Sequence, residues 1–340
     1  MATIVKRGEY QFQAQIRRKG FPSQTETFES KKDAEMWARQ IEFRMDVGRF
    51  VCTKEADQTT LAEALERYLR EVSVKKASHK AEKNRINQWM KHPLALRPLS
   101  KIRGKDIADF IAMRQTQIIN RNGKKAPVSN NTIRLDVSVI SHLFTVARKR
   151  WGMESLENPV SKIELPKPPP GRVRRFEGDE EARLYAACLK TRSGIPWLLL
   201  AVKLAVLTGM RAGEILSLDW SQVKEAQYHI HLEKTKNGDR RDVPLSSAAI
   251  TFLKEMPRAI SGKVIDAFGC TENLDHEFKE ATILAGIVDL VFHDTRHEAA
   301  SRAAKVLMPQ ELAKAFGWKT LQMVMRYYHP TVEYLAQKLG

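Results

Sequence analysis

The sequence predicts a multidomain chain: a small α+β N-terminal domain, an all-α middle domain, and a mostly α, mixed α+β C-terminal domain. Three observations carry that expectation. The chain has 340 residues, more than the roughly 150 typical of a single domain. Its hydrophobic pattern has a period of two near the N-terminus and helical spacing after residue 58. A proline-rich stretch, Leu165-Pro-Lys-Pro-Pro-Pro-Gly-Arg-Val-Arg-Arg175, then separates that helical region from a mixed one. The expected boundaries are 1–57, 58–163, a linker at 164–175, and 176–340.

In the first domain Tyr10, Phe12, Ala14 and Ile16 alternate with Gln11, Gln13, Gln15 and Arg17, the mark of a half-buried strand. A turn at 19–22 leads to a second strand at 25–28. Ser30 can cap a helix that carries Ala34, Trp37, Ala38, Ile41 and Met45 on one face and stops at Gly48. The outer strand face, Gln and Arg17, suits either solvent or base edges when a sheet lies in a major groove.

The second domain reads as helical throughout. Thr60 and Glu63 form a capping box ahead of Leu61, Leu65, Tyr68, Leu69 and Val72. A helix at 78–92 places Lys80, Lys83 and Arg85 in its first half. Another, from about residue 105, carries Ile107, Phe110, Ile111 and Ile118, with 120–125 as a turn. A fourth starts near Ser129, sets Ile133, Val137, Ile140, Phe144 and Ala147 at helical spacing, and ends in Arg148-Lys149-Arg150. Consecutive prolines make the linker extended and semi-rigid. Its Arg172, Arg174 and Arg175 suit a path along phosphates.

For the third domain the pattern gives helices at 179–189, 197–207, 213–218, 247–255, 274–284, 295–306, 309–316, 321–328 and 332–338. Strands at 228–232 and 240–243 flank an Asn-Gly turn, a hairpin signal.

Charge narrows the function. With 57 Lys+Arg against 40 Asp+Glu, the formal net charge is +17, which suits polyanions. The cysteines, Cys52, Cys188 and Cys270, show no CxxC pairing, so neither a disulfide framework nor a zinc ribbon is indicated, and a reducing cytosol fits. The apolar stretch 195–207 is interrupted by Pro196 and Lys203. It is shorter than the roughly 20 residues a membrane span needs, and no membrane partner is expected. No P-loop, GxGxxG or GxSxG occurs, and no paired carboxylates at metal-binding spacing appear in the third domain.

What remains is a set of donors and one nucleophile. Thr208-Gly-Met-Arg-Ala-Gly-Glu-Ile215 sets Arg211 at a helix start, with Glu214 placed to hold its guanidinium. His293-Asp-Thr-Arg296 puts a histidine and an arginine on one face. Tyr327 follows Trp318 by nine positions. Arginine forks suit the nonbridging oxygens of a phosphodiester.

This ordered set resembles the tyrosine recombinase (phage integrase) family. The matching residues are Arg211 with Glu214, Lys236 on the hairpin, His293 with Arg296, Trp318 in Phe-Gly-Trp, and Tyr327 ahead of His329. Lys234 competes with Lys236, and Tyr328 with Tyr327; the Thr-Lys-Asn-Gly context and the Tyr-x-His spacing favour Lys236 and Tyr327. Trp318 stands where many members have histidine, and an indole donates one hydrogen bond without shuttling a proton. By resemblance the first domain is a three-stranded, arm-type DNA-binding domain and the second binds the core site.

The resemblance implies double-stranded DNA as partner, core sites together with arm or accessory sites, and a homotetramer acting in the cytoplasm of a bacterial or phage system. It implies no cofactor and no metal, and it leaves a directionality factor or DNA-bending protein open. Tyr327 would attack a phosphate to give a 3′-phosphotyrosine, Arg211 and Arg296 would clamp its oxygens, Lys236 would protonate the leaving oxygen, His293 would take the Tyr327 proton or bond the phosphate, and Trp318 would hold an oxygen. Nearby guanidinium groups should favour the Tyr327 phenolate. Arg17, Lys80, Lys83, Arg85, Arg148, Lys149, Arg172, Arg174, Arg175 and Arg241 are the expected DNA contacts. Three other readings stay open: a zinc site on His293 and His297, a DNA-binding protein without catalysis, and a type IB topoisomerase-like enzyme.

Overall fold

A computed structural model describes residues 2–47, 54–121, 124–190, 196–233, 240–328 and 332–339. The chain divides into two compact units at Pro170/Gly171, inside the proline-rich stretch.

The first unit opens with an antiparallel sheet in the order β1 (Ala2–Gly8), β2 (Gln11–Ile16), β3 (Gln24–Phe28). The β1 strand was not legible as a strand because both its faces carry polar or exposed residues. Alternation on the central strand buries Ala14 and Ile16. Helix α1 (Lys31–Asp46) covers them with Ala34, Ala38 and Met45. The Asp33 amide donates to the Ser30 side chain at 3.1 Å, satisfying one of the amides a helix start leaves open.

A short α2 (Lys54–Gln58) precedes α3 (Leu61–Glu71). The expected capping box is present: the Thr60 amide donates to Glu63 at 2.8 Å and the Glu63 amide to Thr60 Oγ1 at 3.3 Å. Helices α4 (His79–Met90), α5 (Gly104–Thr116) and α6 (Asn130–Arg150) complete the bundle. Its core takes Leu61, Leu65 and Tyr68 against Ile133, Val137, Ile140 and Phe144. Trp89 stacks on Phe110 with centroids 3.8 Å apart, and its indole donates to the Asp136 carbonyl at 2.9 Å.

One expectation fails here. Ile118 does not extend a helix face. It opens strand β4 (Ile118–Arg121), paired with β5 (Lys124–Pro127), and is exposed. The strands use residues expected to be turn. Gln117 leaves the helix in an extended conformation, and the β-branched Ile118 and Ile119 then prefer a strand.

The second unit is built round α8 (Trp197–Thr208), apolar on nearly every face as a fully buried helix must be. Against it pack α7 (Glu180–Cys188), α9 (Ala212–Leu216), α10 (Ser247–Glu255), α11 (Thr271–Leu284) and α12 (Phe292–Ala303). An antiparallel sheet runs β6 (Val223–Lys224), β7 (His229–Leu232), β8 (Arg241–Pro244), and it buries Ile230, Leu232 and Val243. The end of the unit holds α13 (Pro309–Phe316), α14 (Leu321–Val324) and α15 (Val332–Leu339). The α14 helix is shorter than the expected 321–328. After Val324 the chain tightens, with the Tyr327 amide donating to the Val324 carbonyl at 2.8 Å. Among the described residues no helix is long and apolar enough to cross a membrane.

Removing the α3 cap should weaken the helical core. Thr60→Ala is expected to cost about 1 kcal/mol in chemical denaturation, and Thr60→Ser should recover most of it.

Candidate active site

Helix α8 ends at Gly209 with φ +64°. A Cβ there would sit 2.3 Å from the Phe316 ring, so this position requires glycine on both conformational and steric grounds. The chain then turns into Arg211, the N-cap of α9. Its amide donates to Glu214 Oε2 at 2.9 Å and its guanidinium to Glu214 Oε1 at 2.7 Å. Glu214 is buried, yet its carboxyl is held below the usual range: burial pushes it up, and Arg241 and Arg211 more than offset that.

Arg241 enters from β8 and donates to Glu214 Oε2 at 2.7 Å and to the Ala315 carbonyl at 3.0 Å. It is 8% exposed. Its expected place on a DNA-contacting surface is therefore corrected: it is an internal strut. Withdrawing it would leave a buried carboxylate half-compensated.

Arg296 lies in the second turn of α12 and is 4% exposed. Its guanidinium donates to the Gly209 carbonyl and, at 2.6 Å, to the Phe316 carbonyl. It also lies over the Phe316 and Trp318 rings, 5.2 and 5.7 Å from their centroids. Burial pushes it down to about 9, with Arg211 and Arg241 adding to the effect. It remains charged at neutral pH.

The phenol lies above this layer. Trp318 stacks on Tyr327 almost parallel, with centroids 5.0 Å apart and planes 5° apart, and Phe316 also stacks on Trp318. The Tyr327 hydroxyl shares a hydrogen bond with Nδ1 of His297, whose ring also stacks on it at 5.6 Å. His293, one helical turn back, meets His297 edge-on at 5.1 Å. The expected phenolate is corrected here. Burial raises the Tyr327 phenol, outweighing the opposing charges of Arg326 and Arg296, so the resting group is protonated. Burial and the neighbouring His293 push His297 down to about 4.

His297 was not among the expected catalytic residues. Its signal was in plain sight, four residues after His293 on the same helical face, but that spacing reads equally well as a zinc pair. The structure engages those zinc-type groups otherwise. Asp294 takes Arg172 Nε at 2.7 Å, and His297 takes Tyr327. A separate group, His229, His231 and Asp242, has ligand atoms within 4.8 Å of one another. There His231 Nδ1 already lies 2.6 Å from Asp242 Oδ1.

A cleft of about 390 Å³ opens beside Arg211 and Trp318, bordered by His231, Arg240 and Lys319. Lys236, Lys234 and His329 fall outside the described residues. Among the expected DNA contacts, Arg17, Lys80, Lys83, Arg148, Lys149 and Arg175 are exposed. Arg85 is half-buried and reaches the Ala81 carbonyl at 3.1 Å. Arg172 and Arg174 depart from the expected phosphate track. Arg172 binds Asp294 and Asp289, and Arg174 binds Glu180 at 2.6 Å. These carboxylates, two of them buried, need the charge.

Comparison with known proteins identifies the family. The phage integrase family profile matches residues 174–333. A shufflon-specific DNA recombinase from Escherichia coli is 39% identical over 282 residues, covering 82% of this chain and 71% of that protein. The chain is a tyrosine recombinase of the phage integrase family. A putative integrase/recombinase of Haemophilus influenzae is 32% identical to the recombinase over 291 residues, covering 83% of this chain and 90% of that one. In fold the recombinase is similar to lambda integrase, solved as a tetramer bound to a Holliday junction, with TM-score 0.61 and 20% identity over 93% of this chain and 95% of that one.

The buried His297 gives a pH dependence with a definite sign. Its proton affinity is lower folded, at about 4, than the unfolded value near 6.5. Its contribution to stability is therefore complete above pH 6.5 and is lost as pH falls from there toward 4. The lowered carboxyl of Glu214 acts in the same direction, but below the ordinary glutamate range. Thermal melts of the recombinase should fall by several degrees between pH 7 and 5, and His297→Phe should flatten that slope.

Proposed function

We propose that the recombinase cuts and rejoins DNA through a covalent 3′-phosphotyrosine on Tyr327, for integration, excision or inversion of a DNA element, without metal or ATP. The observation that carries this reading is a single constellation. A protonated Tyr327 phenol stacks with both His297 and Trp318, bonds His297, and has the buried Arg296 over the Trp318 ring.

In this mechanism Tyr327 attacks the phosphorus and the 5′-oxygen leaves. Charge that builds on the transferring phosphoryl group is met by Arg211 and Arg296, whose fixed guanidinium groups do the stabilising work a cation does in other phosphoryl transfers. Trp318 donates its indole N–H to a phosphate oxygen. His293 assists at the phosphate, and Lys236 protonates the departing oxygen. Because the phosphotyrosine conserves the bond's free energy, a free 5′-hydroxyl can reverse the step.

The lambda integrase tetramer on a Holliday junction supports a homotetramer on core DNA here. The first domain, 1–57, would read an arm or accessory site, and a directionality factor or bending protein would complete the complex. Binding weakens steeply with salt as phosphate counterions are released. The reaction belongs where the DNA is, in the cytoplasm.

Tyr327→Phe is expected to abolish denaturant-stable protein–DNA adducts on a nicked suicide substrate while leaving DNA affinity within about twofold. An adduct that persists in this variant removes Tyr327 as nucleophile. The terminal helix α15 is proposed to dock on a neighbouring protomer. Truncation after Thr331 should then lower the yield of DNA-bound tetramer in gel-shift assays, and an unchanged yield would place the helix on its own domain.

A further inference from the structure

We propose that His297 is the group that takes the proton from Tyr327 when the phenol attacks DNA. This rests on the reading of Tyr327 as nucleophile and deepens it by assigning the base.

The geometry supplies the argument. His297 is 7% exposed and stands on α12 one residue after Arg296. Its Nδ1 shares a hydrogen bond with the Tyr327 hydroxyl, the reacting oxygen. The two rings stack at 25° with centroids 5.6 Å apart, so the contact is held by packing as well as by the bond. A general base must lie within hydrogen-bond reach of the proton it removes, and His297 meets that condition before any DNA is bound.

The local electrostatics agree. His297 faces His293, Asp294, Arg296 and Arg326, and burial together with most of these charges keeps it neutral, with a lone pair to offer. With the ring proton on Nε2, Nδ1 is the acceptor. Tyr327 itself is raised by burial, so the fraction ionised at neutral pH is small and the proton must leave during the attack. Trp318, stacked on the phenol, cannot accept it.

The step balances. The Tyr327 O–H bond breaks and its proton moves to Nδ1 of His297. The phenol oxygen's electron pair forms the bond to phosphorus, and the bond from phosphorus to the 5′-oxygen breaks. That oxygen leaves with the proton supplied by the general acid assigned to Lys236. In the reverse step the imidazolium of His297 returns its proton to the phenol.

The test uses the full chain on a suicide DNA substrate, with adduct formation followed by denaturing gel and the labelled peptide sequenced. His297→Phe keeps the aromatic stack and removes the acceptor. It should slow adduct formation by about 10²-fold or more with DNA affinity unchanged. Replacing Tyr327 with a fluorinated tyrosine, whose phenol is more acidic, should recover most of that loss in the His297→Phe background, a larger gain than the same replacement gives in the parent chain. This rescue separates a base from a purely structural residue. A His297→Phe rate within threefold of the parent, a faster rate, or a slow rate that the acidic phenol does not rescue overturns the assignment. Failure of the underlying reading looks different: the parent chain itself would then carry the adduct on a residue other than Tyr327, or form none.

Discussion

The catalytic unit depends on a buried positive charge with backbone on two sides. The guanidinium of Arg296 bonds the carbonyl that ends α8 and the carbonyl that ends α13. Two chain segments more than a hundred residues apart in sequence are thereby tied together. A charge so deeply buried is costly unless its hydrogen bonds are met and a counter-charge is near. The carbonyls, the two aromatic rings and Glu214 provide that compensation. The same cation thus organises the core around it.

Glu214 is the second hub. One carboxylate oxygen takes the Arg211 guanidinium, while the other takes the Arg211 amide and the Arg241 guanidinium. Helix start, strand β8 and the end of α13 are joined through it. The result is a positive layer whose side chains are already oriented, so little reorganisation would accompany the proposed reaction. Above it, burial keeps the phenol protonated. Under the proposed reaction, attack would need an acceptor for that proton, and the contact with His297 would supply it.

Much of this was legible in residue order, for identifiable reasons. Caps declare themselves locally, so Ser30, Thr60 with Glu63, and Ser129 marked helix starts correctly. Amphipathic spacing likewise gave α6 its buried face. The β4–β5 hairpin was missed because an exposed Ile118 resembles the continuation of a helical stripe. The arginines were harder. Sequence shows that Arg172, Arg174 and Arg241 are cationic, but not that Asp294 and Glu214 wait for two of them from distant segments and Glu180 for the third from six residues on. The Tyr327 phenol was misjudged for the same reason: counting nearby charges omits burial, which here is the larger effect.

The close approach of Gly209 to Phe316 bears on how such a chain can evolve. A methyl group acquired at 209 would meet that ring and a left-handed backbone as well, and the ring also backs the Trp318 indole. Since the carbonyls of both residues hold Arg296, neither backbone can retreat to make room. Position 209 is therefore held to glycine, and a change at 316 alone does not release it.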